Sequence, residues 1–158
     1  MVSLTDLDEA ADELYGLGPA EQDRFADRRA ELVAEAKAAG DRELAAKIAK
    51  FKKPVQAAAL ANALVRAEPK ALADLGRLAG ELRDAHRQLR GGELRKLSEQ
   101  RQRLLRRLTE LGQSVAGRPV GDTVLGQLRA TFEAALADEA AERAVLSGRL
   151  TAALSYSG

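Results

Sequence analysis

The chain has 158 residues, about the length of one ordinary domain, and a formal net charge of +1. It has no cysteine, which excludes disulfides, thiolate zinc sites and a cysteine nucleophile. No run of about 18 uncharged apolar residues is present, so we expect no segment to span a bilayer. No basic and apolar leader opens the sequence, so secretion is not supported and we expect a cytoplasmic location.

The residue types favour helices throughout. Ala, Leu, Arg and Glu are strong helix formers and dominate the sequence, whereas aromatic residues make up 3% of it. No convincing alternation of apolar and polar residues, which is typical of strands, is present. We therefore predict an all-α helical bundle that forms a single helical domain over residues 1–158.

Capping and helix-breaking residues delimit the first two helices. Ser3 can cap the first helix, with Asp6 three residues later as its capping partner. This helix is expected to stop before Gly16. Pro19 suits the first turn of the second helix, and Gly40 is expected to end it.

The third and fourth helices follow directly. Asp41 is predicted to cap a short helix that runs to about Lys50. The fourth helix, from Pro54 to Arg66, is apolar on almost every side, and a helix of that pattern is usually central and buried. Asn62 lies within it. Its amide is expected to be buried with its hydrogen bonds satisfied, and the alternative is a contact to a ligand or a partner.

Two stripes of mainly apolar residues, each with a regular helical spacing, predict an antiparallel, coiled-coil-like helical hairpin at about residues 70–90 and 93–116. In both stripes the steps alternate between three and four residues, and Gly91-Gly92 lies between them. When residues are paired outward from the two glycines, each residue of the first stripe lies opposite a residue of the second stripe, as an antiparallel hairpin requires. Flanking leucines indicate that the hairpin docks on other helices. The stripes are Leu72, Leu75, Ala79, Leu82, His86 and Leu89, then Leu94, Leu97, Arg101, Leu104, Leu108 and Leu111.

The last third of the chain predicts one more long helix. It should begin near Asp122, and a turn or short helix should follow it to Ser147-Gly148. The tail from Leu150 carries a weak pattern. The core face of the long helix is predicted to be Val124, Leu125, Leu128, Phe132, Ala135 and Leu136.

Charge is distributed unevenly along the chain. Residues 1–40 carry a net charge of −6, residues 41–70 carry +4, residues 71–118 carry +5 and residues 119–158 carry −2. The middle of the chain is therefore basic and both ends are acidic.

A first basic group consists of Lys50, Lys52 and Lys53. Lys50 lies near a predicted helix C-terminus, where the helix dipole favours cations. Lys52 and Lys53 precede a predicted helix N-terminus, where the dipole disfavours them. Two lysines beside a helix N-terminus could hold a phosphate, and the alternative is an ordinary solvated loop.

A second basic group lies on the outer face of the second hairpin helix. Its spacing places these side chains away from the predicted hairpin contact, so they could follow a phosphate backbone. The alternative is a solvated face whose arginines pair with the acidic ends of the same chain. The basic residues are Arg95, Lys96, Arg103, Arg106 and Arg107, interrupted by Glu99 and Glu110.

The sequence offers little for catalysis. His86 is the single histidine, and no nucleophile–base pair is evident. The glutamate pairs lack the Glu-x-x-His partner of a di-metal site. We therefore expect no enzyme activity, no cofactor and no metal.

These patterns favour a non-enzymatic DNA-binding protein of the nucleoid. It would contact the phosphates of double-stranded DNA through both basic groups, with little direct base readout. No aromatic residue lies among the bases, which argues against stacking on single strands. The alternative is a protein–protein interaction or self-assembly module whose basic face binds an acidic surface of a partner or of another copy.

Five segments carry a family resemblance: residues 14–21, residues 40–48, Lys52-Lys53-Pro54-Val55, residues 62–66 and residues 148–158. With them the chain resembles uncharacterised all-helical proteins of actinobacteria. The resemblance implies a helical fold and no particular activity. Since similar proteins continue past the final Ser-Gly, it also implies that this chain is the N-terminal part of something longer.

Overall fold

The computed structural model describes residues 4–156, and within them it contains eight α-helices, one 3₁₀ helix and no β-strand. The predicted all-α fold is confirmed. The predicted cap at Ser3 lies outside the described residues. The helices are α1 (Leu4–Tyr15), the 3₁₀ helix (Pro19–Arg24), α2 (Phe25–Ala38), α3 (Arg42–Ala49), α4 (Gln56–Ala67), α5 (Pro69–Arg87), α6 (Gly91–Ala116), α7 (Asp122–Ala137) and α8 (Glu139–Leu146).

Helices α1 to α3 pack on one another and bury small apolar clusters of their own. Pro19 begins the 3₁₀ helix, and α2 starts only at Phe25, later than expected. Gly40 ends α2 as predicted, because its φ of +80° suits a residue without a side chain. The side chain of Asp41 accepts a hydrogen bond from the Leu44 N–H at 3.0 Å, which confirms the predicted cap of α3.

Helix α4 is the buried centre of the fold, as its apolar sequence predicts. Residues 57–62 are all at most 2% exposed. The helix packs against α5, α6, α7, α8 and the 3₁₀ helix. It begins at Gln56 and not at Pro54, because Val55 is extended and donates its N–H to the Thr151 carbonyl at 3.0 Å.

Helices α5 and α6 form the predicted hairpin, but its turn is displaced. The turn consists of residues 88–90, and Gly91 and Gly92 belong to the first turn of α6. Leu89 has a φ of +52° and is 86% exposed, and His86 is also exposed. The predicted stripe positions of Leu89 and His86 were therefore wrong.

The hairpin docks on the rest of the bundle as expected. Because α6 also packs on α4 and α7, the residues that it buries lie farther toward those two helices than the predicted stripe does. Leu105 is fully buried there, whereas the predicted Leu104 is half-buried. Gly112 lies so close to α7 that a Cβ atom added to it would overlap the Leu128 side chain.

The C-terminal tail is held firmly, although its sequence pattern is weak. Asn62 accepts a hydrogen bond from the Leu150 N–H at 2.8 Å and donates one to the Leu150 carbonyl at 3.0 Å. Farther along, the Leu154 N–H donates to the Thr131 hydroxyl at 3.0 Å. The expectation of a satisfied buried amide at Asn62 is confirmed.

We predict that Asn62→Leu destabilises the protein by about 2–4 kcal/mol, because it leaves the buried N–H and C=O of Leu150 without partners. Urea unfolding followed by circular dichroism measures this change. Gln56→Leu at the exposed start of α4 is the control and should change the free energy of unfolding by less than about 0.5 kcal/mol. Equal effects of the two substitutions would contradict the role given to Asn62.

Alanine substitutions at two helical glycines test the packing of α6 on α7. A Cβ at Gly80 on α5 meets nothing within 4 Å, so Gly80→Ala should stabilise the protein by about 0.5–1 kcal/mol through helix propensity. Gly112→Ala should instead destabilise it by about 1–3 kcal/mol, because Leu128 is fully buried and cannot move aside freely. Thermal unfolding of both variants checks the difference in sign.

Candidate nucleic-acid interface

Helix α6 has a buried side and a basic side. Leu97, Leu105 and Leu108 are buried against the bundle. With 3.6 residues per turn, the basic residues fall on the opposite side of the helix, and all five are exposed. We call this surface the α6 basic face. It consists of Arg95, Lys96, Arg103, Arg106 and Arg107.

The cations of the α6 basic face are not ion-paired within the part of the chain that the structure describes, although the exposed Glu99 and Glu110 lie on the same side of the helix. None of its five side chains forms an ion pair or a hydrogen bond with any residue from 6 to 156. Arginines elsewhere behave differently, because most of them are ion-paired. The paired arginines are Arg24, Arg28, Arg66, Arg77, Arg83, Arg87, Arg90, Arg101, Arg129, Arg143 and Arg149.

Several acidic residues of the chain ends are engaged away from this face. Arg28 pairs with three glutamates of the N-terminal helices, and its hydrogen bond to Glu13 holds the pKa of that carboxyl below its ordinary value. Arg149 contacts Asp8 at 3.1 Å and Asp12 at 2.9 Å, which joins the two ends of the chain. Among the described residues, the alternative of internal pairing therefore does not hold for the α6 basic face.

Lys50, Lys52 and Lys53 form a second and separate group. All three are exposed, and none is ion-paired with another described residue. The Tyr15 hydroxyl donates a hydrogen bond to the Lys52 carbonyl at 2.9 Å, so this loop is held against α1. No hydrogen bond or ion pair in the described range joins the lysines to the α6 basic face. The structure thus presents two basic groups, and phosphate binding by the lysines stays a prediction.

A groove between α5 and α6 adjoins the α6 basic face. It has a volume of about 230 Å³, and Arg77 of α5 lines it together with Arg103 and Arg107. Sequence reasoning missed Arg77. The sequence contained a signal for its position, because the antiparallel pairing of the two hairpin helices places Arg77 opposite Arg106. Arg77 is held by Asp74 at 3.4 Å and Glu81 at 3.2 Å.

Other potential sites are poorly supported in the described range. No group of three or more His, Asp or Glu side chains there could hold a metal ion. None of the described helices is both long and apolar enough to cross a bilayer. Comparison of the chain with protein-family models, curated proteins and solved structures found no match.

The difference between paired and unpaired arginines generates a stability prediction. Arg106→Gln should change the free energy of unfolding by less than about 0.5 kcal/mol, because Arg106 is exposed and unpaired among the described residues. Arg66→Gln should cost about 1–3 kcal/mol. Arg66 donates to the Gly148 carbonyl at 2.7 Å and to the Asn62 carbonyl at 3.2 Å. Urea unfolding of both variants measures this difference, and equal losses would refute it.

Proposed function

We propose that this protein is a non-enzymatic DNA-binding protein that contacts the phosphates of duplex DNA through the α6 basic face. The observation that supports the proposal is the concentration of five exposed cations without internal partners on one side of one helix. Most arginines elsewhere in the fold are ion-paired, so unpaired positive charge is enriched on that side of α6.

The dimensions of the α6 basic face suit a phosphate backbone. From Arg95 to Arg107 the helix rises about 18 Å at 1.5 Å per residue. One strand of B-DNA advances by about five phosphates over that distance, at about 3.4 Å each. Because α6 is packed along the bundle, its backbone is already ordered before binding, and conformational entropy is lost mainly by the side chains that contact phosphate.

The proposed contacts are with the sugar–phosphate backbone of the DNA, and they include little direct readout of the bases. Phosphate contacts position a protein on DNA without reporting sequence. The α6 basic face has no aromatic residue for stacking on unpaired bases, which favours duplex over single strands. Lys50, Lys52 and Lys53 are proposed to add contacts at a second point on the DNA. Such a role would place the protein at the nucleoid.

Binding to a short labelled duplex, followed by fluorescence anisotropy at about 50 mM and about 200 mM salt, tests the proposal. Release of counterions from several phosphates predicts a loss of affinity on the order of a hundredfold or more between these salt concentrations. No binding at the lower salt concentration would contradict the proposal and would favour an acidic protein partner for the α6 basic face.

A matched pair of triple variants locates the interaction. Replacing Arg95, Arg103 and Arg106 by Gln should weaken binding at least tenfold and lower the salt dependence by about 0.9 per lost phosphate contact. The control replaces Arg24, Lys47 and Arg143 by Gln, which lowers the net charge equally but removes cations held by local ion pairs. Equal losses in both variants would show a general charge effect and refute the assignment to α6.

A further inference from the structure

A cavity of about 530 Å³ lies among α5, α6, α7 and the C-terminal tail. Its volume falls within the range of about 300–1,000 Å³ that is usual for small-molecule sites. One part of its wall is apolar, formed by Leu82, Leu136 and Ala137, and Tyr156 closes one side. The cavity is therefore large enough, and apolar enough, for the body of a small organic molecule.

The remaining wall of the cavity is rich in hydrogen-bond donors. Arg83, Arg87 and Arg101 line it together with His86 and Ser98, and no carboxylate of the described residues does. The side chains of His86 and Ser98 make no hydrogen bond with other described residues. Each of the three guanidinium groups has one carboxylate partner outside the lining, and the lining itself holds no acidic residue. The pairs are Arg83 with Glu142, Arg87 with Asp84 and Arg101 with Glu133.

Two of these arginines retain unused hydrogen-bonding capacity. Arg101 contacts Glu133 once, at 3.5 Å, although a guanidinium carries five N–H donors. Arg83 Nη1 is buried and ion-paired with Glu142 Oε1 at 2.9 Å, whereas the other N–H groups of Arg83 have no hydrogen-bond partner among the described residues. The free N–H groups of a guanidinium that lines a cavity favour an anionic acceptor.

We propose that this cavity binds a small organic anion, with a carboxylate or phosphate group against Arg83 and Arg101 and an apolar body against Leu82 and Leu136. Arg101 lies on the bundle-facing side of α6, opposite the α6 basic face. The site is therefore distinct from the proposed DNA contact, and either proposal can fail without the other.

The aromatic sulfonate 8-anilinonaphthalene-1-sulfonate is a suitable first probe, because it combines an anionic group with an apolar body. We expect saturable binding of one molecule per chain, measured by its fluorescence. Because His86 is the only histidine, its ring proton signals in an NMR spectrum should shift on binding. Competition by decanoate and by decyl phosphate distinguishes a carboxylate from a phosphate ligand. Absence of saturable binding, or binding that leaves the His86 signals unmoved, would overturn the proposal.

Substitutions localise the probe. Arg101→Gln should weaken binding about tenfold or more by removing a charged donor. Ser98→Phe, at an exposed position of α6 that lines the cavity, should fill the space and abolish binding without unfolding the protein. The charge-matched control Arg143→Gln on α8 should bind as the parent does. If Ser98→Phe binds the probe normally, the cavity is not the site, whether or not Arg101→Gln folds. Ser98→Phe should leave affinity for duplex DNA unchanged, which separates this proposal from the DNA-binding one.

Discussion

The fold depends on the burial of α4, which is enclosed by other helices on most sides. Its alanines are small enough to let those helices approach closely, and its leucines fill the spaces between them. Asn62 is the buried polar side chain of this helix, and both of its hydrogen bonds go to Leu150. The central helix therefore also fixes the path of the C-terminal tail, which in turn covers the start of α4 through the bond from Val55 to Thr151.

The surface electrostatics follow from which arginines find partners. Exposed ion pairs contribute little stability, commonly about 0–1 kcal/mol each, so their main effect here is to cancel charge locally. Pairs such as Arg149 with Asp8 and Asp12 do this across the two ends of the chain. The α6 basic face lacks such partners among the described residues. In a protein of net charge +1, this leaves the α6 basic face as the larger of two basic groups that lack ion-pair partners among the described residues.

Local signals in the sequence were sufficient for most of the fold. Gly40, Asp41 and Pro69 set helix ends through backbone preferences that act over a few residues. The hairpin turn could not be found this way. Leu89 adopts the left-handed conformation, and the Arg90 N–H bonds back to the Ala85 carbonyl at 3.1 Å. These backbone hydrogen bonds end α5 and place the turn at residues 88–90, ahead of the glycine pair.

The path of the C-terminal tail and the cavity could not be predicted from short stretches of sequence either, because their contacts join residues that are far apart in the chain. The partners Asn62 and Leu150 are 88 residues apart, and no pattern in a short window connects them. His86 and Arg101 did stand out at stripe positions where apolar residues are usual. Those two departures mark the place where the hairpin opens into the cavity, although the contributions of α7 and Tyr156 required the folded structure. The exposed cations of α6, in contrast, followed directly from helical spacing.

The most direct test of the DNA-binding account is an NMR titration of the arginine Nε–H signals with a short DNA duplex at low salt. The account predicts that the signals of Arg95, Arg103, Arg106 and Arg107 shift together. Signals of ion-paired arginines away from α6 should stay in place. An absence of shifts, or shifts spread evenly over paired and unpaired arginines, would contradict the claim that the α6 basic face binds DNA.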